Sequence, residues 1–244
     1  TGNTGPYGAI ANYNASVVYT DVAVHDNTAG AGDGIGGLWV YESDVVLAGT
    51  TTISANRADY GAGGTVQEGT LSGGLITGNI AGLYGGGLLV YLGTLQDVVV
   101  EANEASDGGG LWVISEATIV GGRIASNEAS NSGAGVMGLA SIGGVVTNSV
   151  TLDGVELADN AAGNVGGGLI VDGGLTTLTG CSVLRNAAGN GGGAQLVDSA
   201  VLSSISTDWG TDADDNFPSD VLDLLGYGAA ATFDCDALGC APAP

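Results

Sequence analysis

The sequence is poor in the side chains that proteins use for positive charge and for acid–base chemistry. Its 244 residues contain no Lys, three Arg and one His against 26 Asp and Glu, which gives a formal net charge of −23. Nucleic acids and anionic lipids are bound through clustered cations, so the composition argues against both partners. Three interpretations of the acidic surface remain open: solubility with self-repulsion, binding of divalent cations, and life in a saline habitat.

Long apolar runs and aromatic residues are also scarce. The chain has no run of about 18 apolar residues, so we expect no transmembrane helix and no membrane insertion. Thr1-Gly2-Asn3 opens the chain without a basic segment, so we expect a mature or excised segment without a signal peptide. Aromatic residues make up 5% of the chain, whereas 44% is hydrophobic and 47 residues are Gly. These values fit a narrow core of small and β-branched side chains.

One unit is repeated along most of the chain: an Asn, a step of small residues, then a Gly cluster followed by an aliphatic residue. A well-preserved copy runs from Asn79-Ile80-Ala81 to Gly85-Gly86-Gly87-Leu88. The Asn residues of the repeat are Asn27, Asn56, Asn79, Asn103, Asn127, Asn160 and Asn186. The last Gly of each cluster is Gly37, Gly64, Gly87, Gly110, Gly135, Gly168 or Gly193, at steps of 27, 23, 23, 25, 33 and 25 residues. Such a period indicates a repeat architecture.

Parallel β-helices and leucine-rich repeats share periods of this length, and the residue content separates them. The segments between turns are short and β-branched, such as 50–53 and 98–100, which predicts strands. Apolar residues nowhere keep a helical period over three turns. We therefore predict an all-β, right-handed parallel β-helix of about eight or nine coils over residues 1–205, roughly 40 Å long because stacked strands lie ~4.8 Å apart.

The parts of one coil follow from strand geometry. Alternate residues of a strand face opposite sides, so Leu88 and Val90 should point inward and Leu89 outward. The repeated Asn residues should stack as an inward hydrogen-bonded ladder, since Asn bonds locally to backbone and tolerates the left-handed region; the alternative is a row of ligand-binding side chains. The repeated Gly clusters should form tight corners, because Gly permits positive φ and close approach of the backbone.

The two ends and one long step depart from the repeat. The 33-residue step between Gly135 and Gly168 predicts an inserted loop near residues 141–149. Residues 206–244 should form a C-terminal cap whose Trp209, Phe217, Tyr227 and Phe233 cover the last coil. The repeat is already running at Asn3, so we expect upstream sequence or another molecule to cover the first coil.

Cysteines and acidic residues suggest two local features near the C-terminus. Cys235 and Cys240 close a short loop and should form a disulfide in an exported protein, whereas Cys181 lies in a strand pattern and should be buried. No cofactor is required by any motif. Carboxylates spaced by small residues could hold Ca²⁺, with a solvated acidic loop as the alternative; the candidate ligands are Asp212, Asp214, Asp215 and Asp220.

The repeats resemble the right-handed parallel β-helix repeats of bacterial surface proteins, including the polymorphic outer membrane protein type. The segment from Asp208-Trp209-Gly210-Thr211 to Val221 is similar to the closing segment of exported β-helix proteins of myxobacteria and relatives. The Phe-x-x-Asn motif usual in that family is replaced here by sequences such as Ile53-Ser54-Ala55-Asn56. The resemblance implies an extracellular or outer cell-surface location and an adhesive or structural role.

Catalysis is disfavoured by the residues present. Carbohydrate-cleaving enzymes on this fold need a cationic base near Ca²⁺-binding carboxylates, or carboxylates that converge on one groove. His25 lies in a turn beside a repeat Asn, and Arg57, Arg123 and Arg185 occupy different coils without an obvious cluster. An ice-binding face would need a regular Thr array, which the scattered Thr residues of the linear sequence do not suggest.

We therefore expect a non-enzymatic extracellular or cell-surface protein that acts by contact. The first hypothesis is head-to-tail self-association into a filament, because solenoid ends can add strands to one another. The alternative is a monomeric adhesin that binds a surface or a glycan. A polysaccharide lyase or hydrolase is the least favoured class.

Overall fold

The chain folds as a parallel β-solenoid of about eight turns, with 61% of its residues in strands. The computed structural model describes residues 1–5, 8–30, 32, 34–139, 149–198, 200–225, 229–236 and 239–242, and for Leu139 and beyond Leu222 it describes the backbone alone. The predicted all-β solenoid is confirmed, while its handedness stays a prediction. The inserted loop predicted near residues 141–149 falls almost wholly on 140–148, outside the described residues.

The strands are β1 (Ile10–Tyr13), β2 (Ser16–Thr20), β3 (Ala23–His25), β4 (Leu38–Tyr41), β5 (Asp44–Ser54), β6 (Arg57–Tyr60), β7 (Gly64–Gln67), β8 (Thr70–Thr77), β9 (Ile80–Tyr84), β10 (Leu88–Gln96), β11 (Val99–Glu101), β12 (Glu104–Asp107), β13 (Leu111–Val120), β14 (Arg123–Ala125), β15 (Glu128–Ser132), β16 (Val136–Leu139), β17 (Ser149–Asp153), β18 (Glu156–Ala158), β19 (Ala161–Ala162), β20 (Leu169–Asp172), β21 (Leu175–Thr179), β22 (Ser182–Leu184), β23 (Ala194–Val197), β24 (Val201–Ile205), β25 (Val221–Leu225), β26 (Ala229–Asp236) and β27 (Gly239–Pro242). One short 3₁₀ helix spans Asp212–Asp214.

The central coils contribute strands to four faces in turn, and the terminal coils contribute to fewer. The first face stacks β1, β4, β7, the first half of β10, the first half of β13, β16, β20, β23 and β25. The second face stacks β2, the start of β5, the start of β8, the second halves of β10 and β13, β17, β21 and β24. The third face runs from β3 to β22, and β6, β9, β12, β15 and β19 form the fourth.

The core is a continuous column of inward side chains. Leu88 and Val90 are fully buried, as the alternation predicts, and the same holds for Leu111, Val113, Leu169 and Val171 at 0–1% exposure. Most of the column is Leu, Val and Ile, because β-branched and aliphatic side chains fill the narrow interior between stacked strands. Smaller Ala clusters lie behind the fourth face.

The repeated Asn residues form one chain of hydrogen bonds along the inner corner between the third and fourth faces. In each coil the backbone N–H and the Nδ2 of the Asn donate to the Oδ1 of the Asn in the next coil, at 2.8–3.1 Å. This Asn ladder runs from Asn3 to Asn216 and includes the seven predicted positions, whose exposure is at most 1%. The residue whose backbone lies in the left-handed region is not the Asn but the residue before it, for example Ala102 at φ 54°.

The two predicted properties of the corner glycines, positive φ and close backbone approach, fall on different members of a cluster. Positive φ falls on the first Gly in six of the seven clusters, such as Gly108 at 65°, and not on the last one, such as Gly110. The last Gly is instead required by packing, because a Cβ on Gly110 would lie 2.6 Å from the Gly135 carbonyl oxygen and 2.9 Å from Nδ2 of Asn127. Similar crowding holds at Gly37, Gly87, Gly135, Gly168 and Gly193.

Gly64 does not belong to this set. It pairs with Leu38 and Leu88, so it occupies a strand position of the first face. Gly63 takes the crowded position in that coil, where a Cβ would meet Nδ2 of Asn79 at 3.0 Å. The missing side chain of these inward glycines therefore leaves the space that the Asn ladder fills.

The C-terminal segment closes the column in a way that the sequence predicted only in part. Trp209 is 1% exposed and donates from Nε1 to Oγ of Ser204 at 3.0 Å. Phe217 is 72% exposed and does not cover the core, contrary to the prediction. Tyr227 lies outside the described residues, as does the side chain of Phe233. The first face ends in an antiparallel meander in which β26 pairs with β25 and β27 with β26.

The first coil carries polar side chains where later coils carry aliphatic ones. Asn12 aligns with Val40, and Tyr19 aligns with Leu47. The Tyr19 hydroxyl lies 2.9 Å from Oδ1 of Asn12, whose Nδ2 donates to the carbonyl of Trp39. This pair therefore lies across the first end of the apolar column, a feature that the sequence analysis missed.

Candidate functional site

An acidic groove lies at the corner between the first and second faces of the first four coils. Its volume is about 490 Å³. Glu42, Asp44 and Glu68 bring three carboxylates to its walls, and the remaining lining residues are Asn14, Ala15, Ser16, Ser43, Gly69, Thr70, Leu92 and Thr94. Asn14, Glu42, Glu68 and Leu92 turn the corner in successive coils with φ between 46° and 53°, so their side chains stack along the groove.

An aromatic cluster borders this groove on the first face. The ring centroids of Tyr13 and Trp39 lie 5.0 Å apart in an edge-on arrangement, and those of Tyr13 and Tyr41 lie 5.5 Å apart. Tyr13 is 53% exposed. Each Tyr directly precedes a groove residue, since Tyr13 is followed by Asn14 and Tyr41 by Glu42. Rings and carboxylates therefore form one continuous surface.

The electrostatics of the groove show that these groups interact. Hydrogen bonding to Glu42 raises the pKa of the Tyr41 hydroxyl, and the charges of Glu42 and Glu68 add to that effect. The hydroxyl of Tyr41 is thus bound to Glu42, which links the aromatic cluster to the groove. The groove lining holds no cationic side chain, so the site offers carboxylate acceptors beside the exposed ring of Tyr13 and the partly exposed rings of Trp39 and Tyr41.

A row of threonines lies on the second face and was missed by the sequence analysis. Thr70, Thr94, Thr118, Thr151 and Thr177 align as direct neighbours in successive coils. Ser203 extends this threonine row at one end, and Asp44 followed by Ser16 extends it at the other. The array that the linear sequence seemed to lack is therefore present in the fold.

A simple signal marks the row. Each of the five Thr residues stands nine residues before the ladder Asn of its own coil, as Thr118 does before Asn127. The number of residues between each Gly cluster and the following row Thr varies, because the corner between the first and second faces differs in length from coil to coil.

The four candidate calcium ligands are not brought together. Oδ1 of Asp214 lies 2.7 Å from Nη1 of Arg185, and Oδ1 of Asp215 accepts from the N–H of Asn216. Asp220 is 2% exposed and accepts from Nδ2 of Asn216 at the end of the Asn ladder. In the described part of the chain no three His, Cys, Asp or Glu side chains could hold a metal ion. The calcium hypothesis has no geometric support at this segment.

The few cations are arranged differently from the expectation. Arg123 lies 3.0 Å from Glu101 and 3.2 Å from Glu156, and Arg123 and Arg185 both contact Asp159, at 3.8 and 2.7 Å. Two of the three Arg therefore meet on one carboxylate, and hydrogen bonding from Arg185 lowers the pKa of Asp159. These ion pairs tie coils together.

His25 and the cysteines have simpler surroundings. Nδ1 of His25 lies 2.7 Å from Oδ2 of Asp26, and the side chain is 41% exposed. His25 ends strand β3 and does not lie in a turn, contrary to the prediction. Cys181 is 2% exposed, and burial raises the pKa of its thiol. Cys235 and Cys240 stand opposite each other in the β26–β27 pair. Their side chains lie outside the described part, so the disulfide stays a prediction.

A pair of carboxyl groups lies near the other end of the first face. Burial raises the pKa of Asp172, and the charge and a hydrogen bond of Asp198 raise it further. Two carboxyls in hydrogen-bond contact are too close to act on either side of a glycosidic bond, where the separation is roughly 5–9.5 Å. The pair is therefore a poor glycosidase site.

Comparisons with known proteins add no relative. No family model matches the chain, and neither curated proteins nor solved structures give a match. None of the helices in the described ranges is long and apolar enough to cross a membrane.

Proposed function

We propose that this chain is a non-enzymatic extracellular or cell-surface protein that acts by contact, and that the acidic groove with its aromatic border binds a glycan. The observation that supports the proposal is that the exposed ring of Tyr13 and the partly exposed rings of Trp39 and Tyr41 lie beside the carboxylates of the groove. Binding sites for small polar ligands combine aromatic walls with a few placed polar groups. Rings can cover the C–H faces of a sugar, while carboxylates accept hydrogen bonds from its hydroxyls.

The charge of the groove restricts the type of glycan. Three carboxylates without a cationic partner in the lining repel uronic acids and sulfated sugars. The same carboxylates attract amino groups, and the rings of Tyr13 and Trp39 can stabilise a nearby cation. The proposed ligand is therefore a neutral glycan or one that carries amino groups.

Head-to-tail assembly into a filament stays a prediction with less support. Continued coil stacking would require a free parallel edge on every face of the last coil. On the first face that edge is occupied, because β26 pairs with β25 in the antiparallel sense. For this reason a monomeric binding role is preferred to the filament.

Isothermal titration with oligomers of glucosamine, N-acetylglucosamine and galacturonic acid tests the proposal. We expect binding of the first two and none of the third. Tyr13→Ala should weaken binding by roughly 0.5–1.5 kcal/mol, about two- to thirteenfold in Kd. The matched control is Phe217→Ala, which removes another exposed ring, 72% exposed against 53% for Tyr13, from the opposite end of the solenoid.

Two results would contradict the proposal. One is equal weakening by both variants, which would place the site elsewhere. The other is release of new reducing ends or unsaturated products during prolonged incubation, which would make the protein an enzyme.

A further inference from the structure

The threonine row occupies an outward position whose residue type the fold does not dictate. The neighbouring outward row, two residues further along the same strands, contains Ser72, Gln96, Val120, Asp153 and Thr179 in the same five coils. In these five coils the neighbouring row contains five different residue types, whereas the threonine row contains only Thr. Thr accounts for only 20 of 244 residues, so composition does not explain five successive identities.

Folding does not explain the row either. Val fits an exposed strand position as well as Thr does, so strand formation alone would not retain the hydroxyl. Buried hydroxyls of the solenoid form structural hydrogen bonds, as that of Thr51 does with the carbonyls of Tyr19 and Ala48. In the described part of the chain the five row hydroxyls form no such side-chain bonds. They are therefore available to an external partner.

The geometry of the row defines that partner. Parallel stacking places one hydroxyl and one methyl group every ~4.8 Å along a straight line. Thr is stiff about χ1 because it is β-branched, so each pair of groups has a restricted orientation. A partner that engages all five must itself repeat at nearly this interval and must offer hydrogen-bond donors and acceptors together.

The chemistry of the surrounding face argues against an anionic partner and against one that stacks on aromatic rings. The outward residues of β8, β10, β13, β17 and β21 on the second face contain no aromatic ring and no Lys or Arg. The acidic residues Glu116 and Asp153 lie beside the row and not in it. A sugar chain would find no ring to cover its C–H faces here, in contrast to the groove on the neighbouring corner.

We propose that the threonine row binds ice. The oxygen lattice of ice repeats at an interval close to the spacing of stacked strands, and every lattice oxygen both donates and accepts hydrogen bonds. Thr hydroxyls join that lattice, and the methyl groups between them order the adjoining water as apolar surface does. The row overlaps the groove at Thr70 and Thr94, which line it, and continues beyond it over Thr118, Thr151 and Thr177. Glycan titration and thermal hysteresis therefore test the two proposals separately.

The test is measurement of thermal hysteresis and of inhibition of ice recrystallisation with the full chain. We expect ice shaping and a measurable hysteresis for the native protein. Thr118→Tyr places a bulky ring at the centre of the row and should abolish both. The matched control, Thr77→Tyr, introduces the same ring at an outward position of the third face in β8, and it should retain both.

A second bulky variant, Thr151→Tyr, repeats the test in another coil in case one substitution prevents folding, which circular dichroism would reveal. Absence of hysteresis and ice shaping in the native protein would overturn the proposal. Equal loss in Thr118→Tyr and Thr77→Tyr would also overturn it, because the activity would then not depend on the row.

Discussion

Asn127 provides the most direct test of what the Asn ladder contributes to stability. Its side chain is fully buried. Oδ1 accepts from the N–H and from Nδ2 of Asn103, and Nδ2 donates to Oδ1 of Asn160 and to the carbonyl of Val100, all at 3.0 Å. Asn127→Ala deletes these bonds and leaves the buried N–H of Asn103 without its acceptor.

The expected loss can be worked out from these contacts. A buried donor without an acceptor costs ~1–3 kcal/mol, and the two bonds donated by Nδ2 contribute ~0.5–1.5 kcal/mol each. The free energy of unfolding should therefore fall by roughly 2–6 kcal/mol. Urea unfolding followed by far-UV circular dichroism measures this difference through the shift of the midpoint.

Asn131 supplies the matched control, because it also links neighbouring coils through its side chain. Its Nδ2 donates to Asp107 at 2.7 Å and its Oδ1 accepts from Asn164 at 2.6 Å, but it is exposed. Water can replace these partners, so Asn131→Ala should change stability by about 0.5 kcal/mol or less. Equal destabilisation by the two variants would refute the argument that burial makes the ladder important.

Three further predictions follow from the described contacts. Gly110→Ala should lower the free energy of unfolding by about 3 kcal/mol through overpacking. Gly154 has positive φ but nothing within 4 Å of an added Cβ, so Gly154→Ala should lower it by about 1–2 kcal/mol. Thermal melts measure both changes, and equal shifts in melting temperature would contradict the packing argument. The raised pKa of Asp172 means that its contribution to stability is complete below the unfolded pKa and is lost as pH rises through the folded pKa. Asp172→Asn should therefore raise the melting temperature at pH 7 and not at pH 3, and an equal effect at both would contradict it. A thiol reagent should label one cysteine, Cys181, in denaturant without reductant and none in the native protein; three labelled thiols would exclude the C-terminal disulfide.

The fold could be predicted from the sequence because the interior constrains every coil in the same way. The inward position of Leu88 and the corner position of Asn103 recur wherever the chain closes a coil, and both are visible as periodic letters. Gly64 was misplaced because its cluster, Gly61-Ala62-Gly63-Gly64, extends one residue into the strand. Letter patterns do not show which of several adjacent glycines lacks room for a Cβ.

The surface sites could not be predicted in the same way. The acidic groove joins Glu42 and Glu68, which are 26 residues apart, and their adjacency depends on the pairing of β4 with β7. The threonine row keeps a constant distance from the ladder Asn but not from the Gly clusters, so it was missed when the repeat was aligned on its glycines. Phe217 was assigned to the cap because of its hydrophobicity alone, although Trp209 fills the available space and leaves the Phe217 ring in solvent.

The Asn ladder and the threonine row are connected through the rigidity of the coil. Asn127 closes the same coil that displays Thr118, and its bonds hold that coil against its neighbours at fixed height. Recognition of a lattice requires that successive hydroxyls keep their spacing, so a looser inner corner should disturb the outer row. A folded Asn127→Ala variant should therefore show reduced thermal hysteresis although every row residue is intact. Native hysteresis in that variant, with the expected loss of stability, would show that the outer sheet keeps its spacing independently of the inner corner.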